Sequence, residues 1–364
     1  METKMKRIFW GLTIFLVLVL ASCTTKETVQ PIVQDGVVVN LDNFIHADST
    51  RAYNKQIAKS SGKVNVIVHE RDFITPDTQD VVRSNRDTLY SRVILNVKDG
   101  ATISLGNYDG YQTANVLDIN HSQIAVQKGE GTLKLDSSML TEGDFVYIII
   151  RTGVNRDSDG NPTLDEARKA QDEIKVKFSS NEMFNGTDYD FSTLDAVKYQ
   201  IFERFAEDPS KYLVRDGFGK VGERVEAAAQ TMIAIGWGGL SGTEAVYSPF
   251  TATGERRTFS IDKPNLKFED GGFFSFTIYN ENGWIATDNY AINSLDMIAN
   301  ADGTYTITFL ASGEPELDGD LNVVRTPRGK LWTGVLRAYE PVEKVETFDW
   351  ADNWTAIMTK ELQQ

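Results

Sequence analysis

Apolar and polar residues alternate along several stretches of the N-terminal half, which is the period of β-strands. The stretch 84–97 is the clearest example, with apolar or small residues on one face and polar residues on the other. The first face carries Leu89, Ser91, Val93, Leu95 and Val97, and the second carries Arg86, Thr88, Tyr90 and Arg92. The run 145–151 is apolar at almost every position, which predicts a strand buried on both faces. These patterns predict an antiparallel β domain.

Helical spacing of apolar positions predicts one amphipathic helix in residues 41–59 and three more in the middle of the chain. The three later helices contain the series Leu164, Ala167, Ile174; Leu194, Val197, Ile201, Phe205; and Val221, Val225, Ala228, Met232, Ile235. Ser192, followed by Asp195, is the predicted N-cap of the second of these. Gly236-Trp237-Gly238-Gly239 is the predicted end of the third.

Strand-like segments return after residue 270, separated by turn dipeptides such as Asn282-Gly283 and Asp302-Gly303. They are rich in aromatic and β-branched residues, as sandwiches and jelly rolls are. The predicted fold is therefore mainly β with helical insertions. It consists of a β-sandwich N-terminal domain and a jelly-roll-like C-terminal domain, bridged by about three helices.

The same patterns divide the chain into segments. We predict a signal peptide at 1–22, a lipid-anchored tether at 23–36, a β-rich domain at 37–180, a helical bridge at 181–240, a β-sandwich or jelly-roll domain at 241–345, and a C-terminal tail at 346–364. The tether is polar and has no apolar period, which is typical of a linker.

The N-terminus has the three parts of a secretory signal: a basic start at residues 4–7, an apolar run at 8–20, and small residues before Cys23. The apolar run is too short to span a bilayer stably. Leu20-Ala21-Ser22-Cys23 resembles the lipobox of bacterial lipoproteins, which implies that the thiol of Cys23 carries lipid after cleavage. Two alternatives stay open: an ordinary signal peptide with a cysteine near its cleavage site, and an uncleaved anchor.

Cys23 is the only cysteine in the chain, so its acylation leaves no thiol for disulfides, metal sites or nucleophiles. Thr24 stands where an aspartate would indicate retention in the inner membrane, and the predicted location is the outer membrane of the cell envelope. The full chain has 41% hydrophobic residues and a net charge of −15, and what remains after cleavage is expected to form an acidic soluble domain on a lipid anchor. The acidity argues against nucleic acid as a partner.

Several segments resemble two families that usually occur together. DNFIHADSTRAY, SNRDTLYS and YIIIRT resemble the domain of unknown function 1254. GGLSGTEAVYSPF, FFSFTIYNENGW and GVLRAYEP resemble its usual partner, the domain of unknown function 1214. The resemblance implies a β-sandwich domain followed by a jelly-roll-like domain in an exported or envelope-associated protein. It implies no particular reaction.

An oxygen-rich loop at 155–166 has the spacing of a calcium-binding loop. Its predicted ligands are Asn155, Asp157, Asp159, Asn161, Thr163 and Glu166. Such a loop offers the oxygens that a hard cation needs, and calcium would have a structural role here. The same residues also fit a plain turn closed by a capping box of Thr163 and Glu166, so the two interpretations both stay open.

The polar face of the 84–97 strand and the residues beside it are a candidate ligand site. Its members are Asn85, Arg86, Asp87, Tyr90 and Arg92. Guanidinium groups and a phenol on one face would bind a carboxylate or a sugar. The alternative is a structural Arg–Asp pair on a solvated strand face.

Residues for nucleophilic catalysis are scarce, because the chain has 3 histidines and no nucleophile elbow. Arg86, Tyr90 and His121 are the candidate catalytic residues, with His121 as a general base near Asp118. Aromatic residues offer stacking surfaces for a ligand, although at most one or two are expected outside the core. The aromatic candidates are Trp237, Tyr247, Trp284, Tyr290 and Trp332.

Two functions therefore stay open for the exported protein. The first is a binding or structural module of the envelope, with a small-molecule or carbohydrate ligand. The second is a hydrolase-type enzyme that acts on a small or carbohydrate substrate in a cleft between the two β domains. Convergence of Arg86, Tyr90 and His121 in a deep pocket would favour the enzyme.

Overall fold

The computed structural model describes residues 36–79, 81–208, 211–253, 256–344 and 346–351. The predicted signal peptide, Cys23 and the tether up to residue 35 lie outside the described residues, as does the predicted tail from residue 352. No helix in the described ranges is long and apolar enough to cross a membrane.

The described elements alternate between strands and a few helices. In chain order they are β1 Val37–Val38, α1 Phe44–Lys59, β2 Val68–Glu70, β3 Thr88–Asn96, β4 Ala101–Leu105, β5 Gln112–Leu117, β6 Gln123–Lys128, β7 Gly131–Leu135, β8 Phe145–Gly153, α2 Leu164–Asp172, β9 Lys175–Phe178, β10 Tyr189–Asp190, α3 Phe191–Glu207, α4 Glu226–Ile235, β11 Ala245–Thr253, β12 Arg257–Ile261, β13 Phe274–Asn280, β14 Ala291–Asn293, β15 Tyr305–Ala311, β16 Val323–Thr326 and β17 Leu331–Tyr339. The predicted mainly β fold with helical insertions is confirmed.

The N-terminal half contains two antiparallel sheets that share one apolar core. The five-stranded sheet has the order β2-β3-β8-β5-β6, and a three-stranded sheet has the order β7-β4-β9. Val93, Leu95, Ile103, Val116 and Ile148 meet between them. The alternation predicted for the 84–97 stretch is observed: Val93 and Leu95 enter this core, whereas Tyr90 and Ile94 on the opposite face belong to another cluster.

The C-terminal half is built in the same way. A four-stranded sheet with the order β11-β17-β13-β14 packs on a three-stranded sheet with the order β12-β15-β16, in which β15 and β16 are parallel. Phe250, Phe276, Phe309 and Trp332 fill the core between them. Residues 346–351, at the start of the predicted tail, are helical, and Phe348 packs on this core.

The helices cover the sides of the two halves. α1, α3 and α4 share a small core that includes Phe44, Leu194 and Ala234. Asp190, and not the predicted Ser192, is the N-cap of α3: its side chain accepts a hydrogen bond from the Ser192 amide at 3.0 Å. The carboxylate oxygen of Asp190 thus satisfies one of the free N–H groups in the first turn of the helix.

A further cluster joins the two halves. Tyr90 and Ile149, from the outer face of the five-stranded sheet, belong to the same buried cluster as Tyr279 and Val335 of the four-stranded sheet. The two larger sheets therefore face each other across the middle of the molecule, and each has its own sandwich core behind it.

Candidate functional site

A cavity of about 890 Å³ lies between the five-stranded and four-stranded sheets. We call it the central cavity. Its walls include Tyr90, Arg92, Tyr147, Ile149 and Arg151 from the first sheet, Tyr247, Pro249, Val335, Arg337 and Tyr339 from the second, Asp48, Arg51, Ala52, Lys55, Gln56 and Lys59 from α1, and Met232, Ile233, Ala234, Ile235, Gly236, Trp237 and Gly239 from α4 and the loop after it. This volume is in the range of pockets that hold small organic ligands.

Strand register explains why these side chains meet. Tyr90 pairs with Arg151 and Arg92 pairs with Ile149 across β3 and β8, while Tyr247 pairs with Arg337 across β11 and β17. Since side chains alternate between faces, every second residue of these strands points toward the cavity. The register thus places an arginine and a tyrosine side by side on each wall.

The charge of the cavity lining is opposite to that of the whole chain. The lining includes 8 basic and 3 acidic side chains, although the net charge of the chain is −15. The basic residues are Arg51, Lys55, Lys59, Arg83, Arg92, Arg151, Lys198 and Arg337, and the acidic ones are Asp48, Asp195 and Glu281. A cleft lined by one sign of charge raises the local concentration of ligands of the opposite sign.

Some of the basic groups have carboxylate partners. Arg51 contacts Asp48 and Asp195, each at 2.9 Å, and Lys198 contacts Asp48 at 3.2 Å. Arg92 forms an ion pair with Glu70 at the edge of the cavity. These pairs offset part of the positive charge near α1 and β2.

Arg151 and Arg337 are different, because neither has a carboxylate within ion-pair distance in the described part of the chain. Arg337 is 5% exposed, and its guanidinium donates to Thr277 Oγ1 at 2.9 Å and to the Tyr279 hydroxyl at 2.9 Å. Arg151 is 6% exposed and donates from Nη2 to the Gly238 carbonyl at 2.8 Å. Its Nη1 is buried and has no hydrogen-bond partner among the described residues.

The Gly236-Trp237-Gly238-Gly239 loop forms one wall of the central cavity, and hydrogen bonds to Gly238 hold it in place. His121 Nε2 accepts a hydrogen bond from the Gly238 amide at 2.9 Å, and Arg151 donates to the carbonyl of the same residue. Gly238 has φ +86°, and a Cβ there would lie 2.5 Å from Ile149 Cδ1. A glycine is therefore needed both for the left-handed backbone and for the close packing.

His121 supports the wall from outside the cavity lining. It is 1% exposed, and its ring packs edge-on against Trp237 at 5.1 Å between centroids. Burial, followed by the charge of Arg224, lowers its pKa to about 3. The Asp118 carboxylate does not contact the ring: it accepts from the amides of Ser122 and Thr141, each at 2.9 Å. The imidazole is therefore neutral at physiological pH and acts as a hydrogen-bond acceptor.

The predicted ligand residues separate into two groups. Asn85, Tyr90 and Arg92 line the central cavity, and Asn85 Nδ2 donates to the Tyr339 hydroxyl at 2.9 Å. Arg86 and Asp87 line a second pocket of about 10 Å³, which has room for about one water molecule.

Arg86 lies over the ring of Phe73, with 4.6 Å between its Cζ and the ring centroid. Asp87 is buried and accepts from Ser275 Oγ at 2.5 Å, so it ties the two halves together. Burial raises the pKa of Asp87, and the charge of Arg337 partly offsets this effect. The three candidate catalytic residues are thus not brought together, because only Tyr90 faces the central cavity.

The loop 155–166 is a closed turn on the surface. The Asp157 carboxylate accepts from the amides of Asp159 at 2.9 Å and Asn161 at 2.8 Å. The side-chain amide of Asn155 donates to the Asp109 carbonyl, and Thr163 precedes α2 without a capping hydrogen bond from its side chain. In the described ranges, no group of three or more His, Cys, Asp or Glu side chains is arranged to hold a metal ion.

Sequence reasoning missed Arg151, Arg337 and Tyr339 as members of the site. A signal was present, because both arginines interrupt strands that are otherwise apolar, in IIIRT and VLRAY. Arginine is rarely buried without a partner, so such a position indicates either an ion pair or a ligand. Trp237, Tyr247 and Trp284 line the cavity, which is more than the one or two aromatic residues expected there, whereas Trp332 is core.

The fold and site define a mainly β protein in which two sheet pairs enclose a basic, aromatic cavity. Residues 64–137 match the family model of the protein of unknown function DUF1254, and residues 252–343 match that of the protein of unknown function DUF1214, in this order. The resemblance stated from the sequence motifs is confirmed. No curated protein matches the sequence.

Two solved structures are similar in fold. The VPA0106 protein from Vibrio parahaemolyticus has a TM-score of 0.61 and 14% identity, over 85% of this chain and 95% of that one. A putative uncharacterized protein from Burkholderia cenocepacia has a TM-score of 0.50 and 10% identity, over 83% of this chain and 85% of that one. At these identities the likeness shows the fold alone.

Proposed function

We propose that the protein is an exported bacterial lipoprotein, anchored to the outer membrane by lipid on Cys23. Its folded part is a binding module that holds a small organic ligand in the central cavity. Two independent observations support the two halves of this proposal: the N-terminal signal with its single cysteine, and the cavity between the facing sheets.

The cavity is the observation that carries the binding function. Its volume of about 890 Å³ suits a small molecule or a short carbohydrate, and aromatic rings on both walls offer stacking surfaces. The rigid strands behind these rings have complete sandwich cores of their own. A site built on such elements keeps its shape without a ligand.

Binding is favoured over hydrolysis by the chemistry of the lining. Its described lining includes no histidine, and two of its three acidic side chains, Asp48 and Asp195, are engaged in ion pairs with Arg51, which leaves Glu281 as the third. A general base must reach the substrate, but His121 lies behind Trp237 and its Nε2 is already an acceptor. The envelope hydrolase is therefore the alternative that the tests below must exclude.

The remaining predicted partners follow from the same proposal. The membrane is contacted through the lipid, and nucleic acid is not a partner, because the net charge of −15 repels it. Calcium in the loop 155–166 stays a prediction, with the plain turn as its alternative.

The anchor is tested by growing the expressing bacterium with an alkyne analogue of palmitate. The full chain is expected to carry the label and to sediment with the outer membrane. Cys23→Ser is expected to lose both properties, since the chain then has no thiol to acylate. Label that persists on Cys23→Ser, or wild-type chain in the cytoplasm, would contradict the anchor.

The binding function is tested by a thermal-shift screen of metabolites, with two matched tryptophan variants of α1. Ala52 lines the cavity, so Ala52→Trp is expected to occupy it, whereas Ala58 is exposed on the same helix and Ala58→Trp is the control. Compounds that raise the Tm of wild type and Ala58→Trp but not of Ala52→Trp support the proposal. A screen that finds no such compound contradicts the binding function. Conversion of a compound to product favours the hydrolase.

A further inference from the structure

Arg151 lines the central cavity, and its buried guanidinium has a nitrogen without a hydrogen-bond partner in the described residues. Nη2 is bound to the Gly238 carbonyl, while the buried Nη1 has no partner among the described residues. The centroid of the Tyr90 ring lies 5.8 Å from the guanidinium carbon, so the ring provides only a weak cation–π contact to the buried charge. A buried N–H group without a hydrogen-bond partner is costly, so a ligand group that accepts from it gains affinity.

The tyrosines around Arg151 also present donors. The Tyr247 hydroxyl accepts from the Leu240 amide at 3.2 Å, and the Tyr339 hydroxyl accepts from Asn85 at 2.9 Å. Each hydroxyl keeps its own proton for donation, and no acceptor for it is present in the described ranges. Burial raises the pKa of both phenols, so they stay protonated at neutral pH.

We propose that Arg151, together with the hydroxyls of Tyr90, Tyr247 and Tyr339, binds the carboxylate of an organic acid whose apolar body lies against the aromatic walls. This inference rests on the proposed binding function and names the class of its ligand. All four side chains line the same cavity and offer N–H or O–H donors. Such a set selects an anion over a neutral or cationic group.

A carboxylate fits this set better than a phosphate. Nη2 of Arg151 already uses one of its two N–H groups on the Gly238 carbonyl, so Nη1 is the nitrogen that has no partner. The neighbouring Arg337 uses its nitrogens on Thr277, Tyr279 and the Arg83 carbonyl. The two oxygens of a carboxylate together accept about four hydrogen bonds, which matches one guanidinium nitrogen and three hydroxyls as donors.

The test compares three probes that share one skeleton: 4-phenylbutyrate, the neutral 4-phenylbutanol and 3-phenylpropyl phosphate. Affinity for the full chain in detergent is measured by calorimetric titration. Wild type is expected to bind the carboxylate at least about tenfold more tightly than the alcohol, because a charge-assisted hydrogen bond contributes this much. Arg151→Met is expected to lose this preference, and Arg151→Lys to keep part of it.

The ratio of carboxylate to alcohol affinity is the decisive readout. Arg151→Met also loses the hydrogen bond to Gly238, which affects the fold. This loss changes the affinity for the carboxylate and for the alcohol alike. The ratio of the two affinities therefore reports the loss of the charge alone. Tyr90→Phe is a second variant, since its hydroxyl has no partner in the described chain. It is expected to lower carboxylate affinity several-fold with no change in Tm. Arg325→Met, whose residue pairs with Glu316 outside the cavity, is the matched control and is expected to keep the wild-type ratio.

The outcomes separate the inference from the proposed function. Equal binding of the alcohol and the carboxylate, or tighter binding of the phosphate, would overturn the carboxylate site while leaving a binding module. An unchanged ratio in Arg151→Met would overturn the role of Arg151. Failure of the metabolite screen to find any cavity ligand would instead overturn the proposed function itself.

Discussion

His121 gives the protein a defined dependence of stability on pH, which the substitution His121→Gln should remove. The introduced glutamine can still accept the hydrogen bond from the Gly238 amide through its side-chain oxygen, but it cannot be protonated. The variant therefore separates the packing role of the side chain from its titration.

The sign and size of the effect follow from burial. Burial and the charge of Arg224 lower the pKa of His121 from 6.5 to about 3 in the folded protein. Below pH 6.5 the unfolded chain takes up a proton that the folded protein does not, so stability is lost as pH falls from 6.5 toward 3. The loss is about 1.4 kcal/mol per pH unit, or about 2 kcal/mol between pH 7.5 and pH 5.0.

The assay is urea unfolding of wild type and His121→Gln at pH 7.5, 6.0 and 5.0, which covers the upper part of the window between the pKa values of 6.5 and about 3. The stability of wild type is expected to fall relative to the variant by about 2 kcal/mol over this range. All other residues are the same in the two proteins, so their contributions cancel in the difference. Parallel stability profiles would refute a neutral, buried His121.

Three further predictions concern other parts of the fold. Gly238→Ala is expected to cost at least about 1 kcal/mol more than Gly303→Ala in denaturant unfolding, because both have φ +86° but only the first meets a side chain, that of Ile149. Millimolar calcium is expected to raise the Tm of wild type but not of Asp159→Asn, and an unchanged Tm would identify the 155–166 loop as a plain turn. Trp332→Ala is expected to cost about 3–5 kcal/mol, measured in the same way, because the side chain is fully buried.

The pattern of apolar residues in the sequence predicted the strands and helices that bury one face or both faces. Alternation around Val93 and the apolar run at 145–151 became β3 and β8, and the helical period became α1 at Phe44–Lys59. The cap of α3 was placed two residues late, because Asp190 and Ser192 are both good capping residues and the sequence does not rank them.

The site was harder to predict than the fold, because it depends on long-range packing. Tyr90 and Arg92 were found from their strand face, but their neighbours Arg151 and Tyr339 come from strands far away in the sequence. Arg86 was included because strict alternation extended the strand past its start at Thr88. Periodicity in the sequence shows which residues share one face of a strand. It does not show which other sheet packs against that face.

The lining of the central cavity comes from both matched segments and from the chain between them. Residues 64–137 supply Tyr90, residues 252–343 supply Tyr339, and Arg151 and Tyr247 lie between the matches. Neither segment alone encloses the cavity. A ligand there contacts both sheets, so its binding energy stabilises their packing against each other as well as each fold. In the proposed site a ligand carboxylate accepts from the unpaired nitrogen of Arg151, and this gain is the source of the proposed affinity.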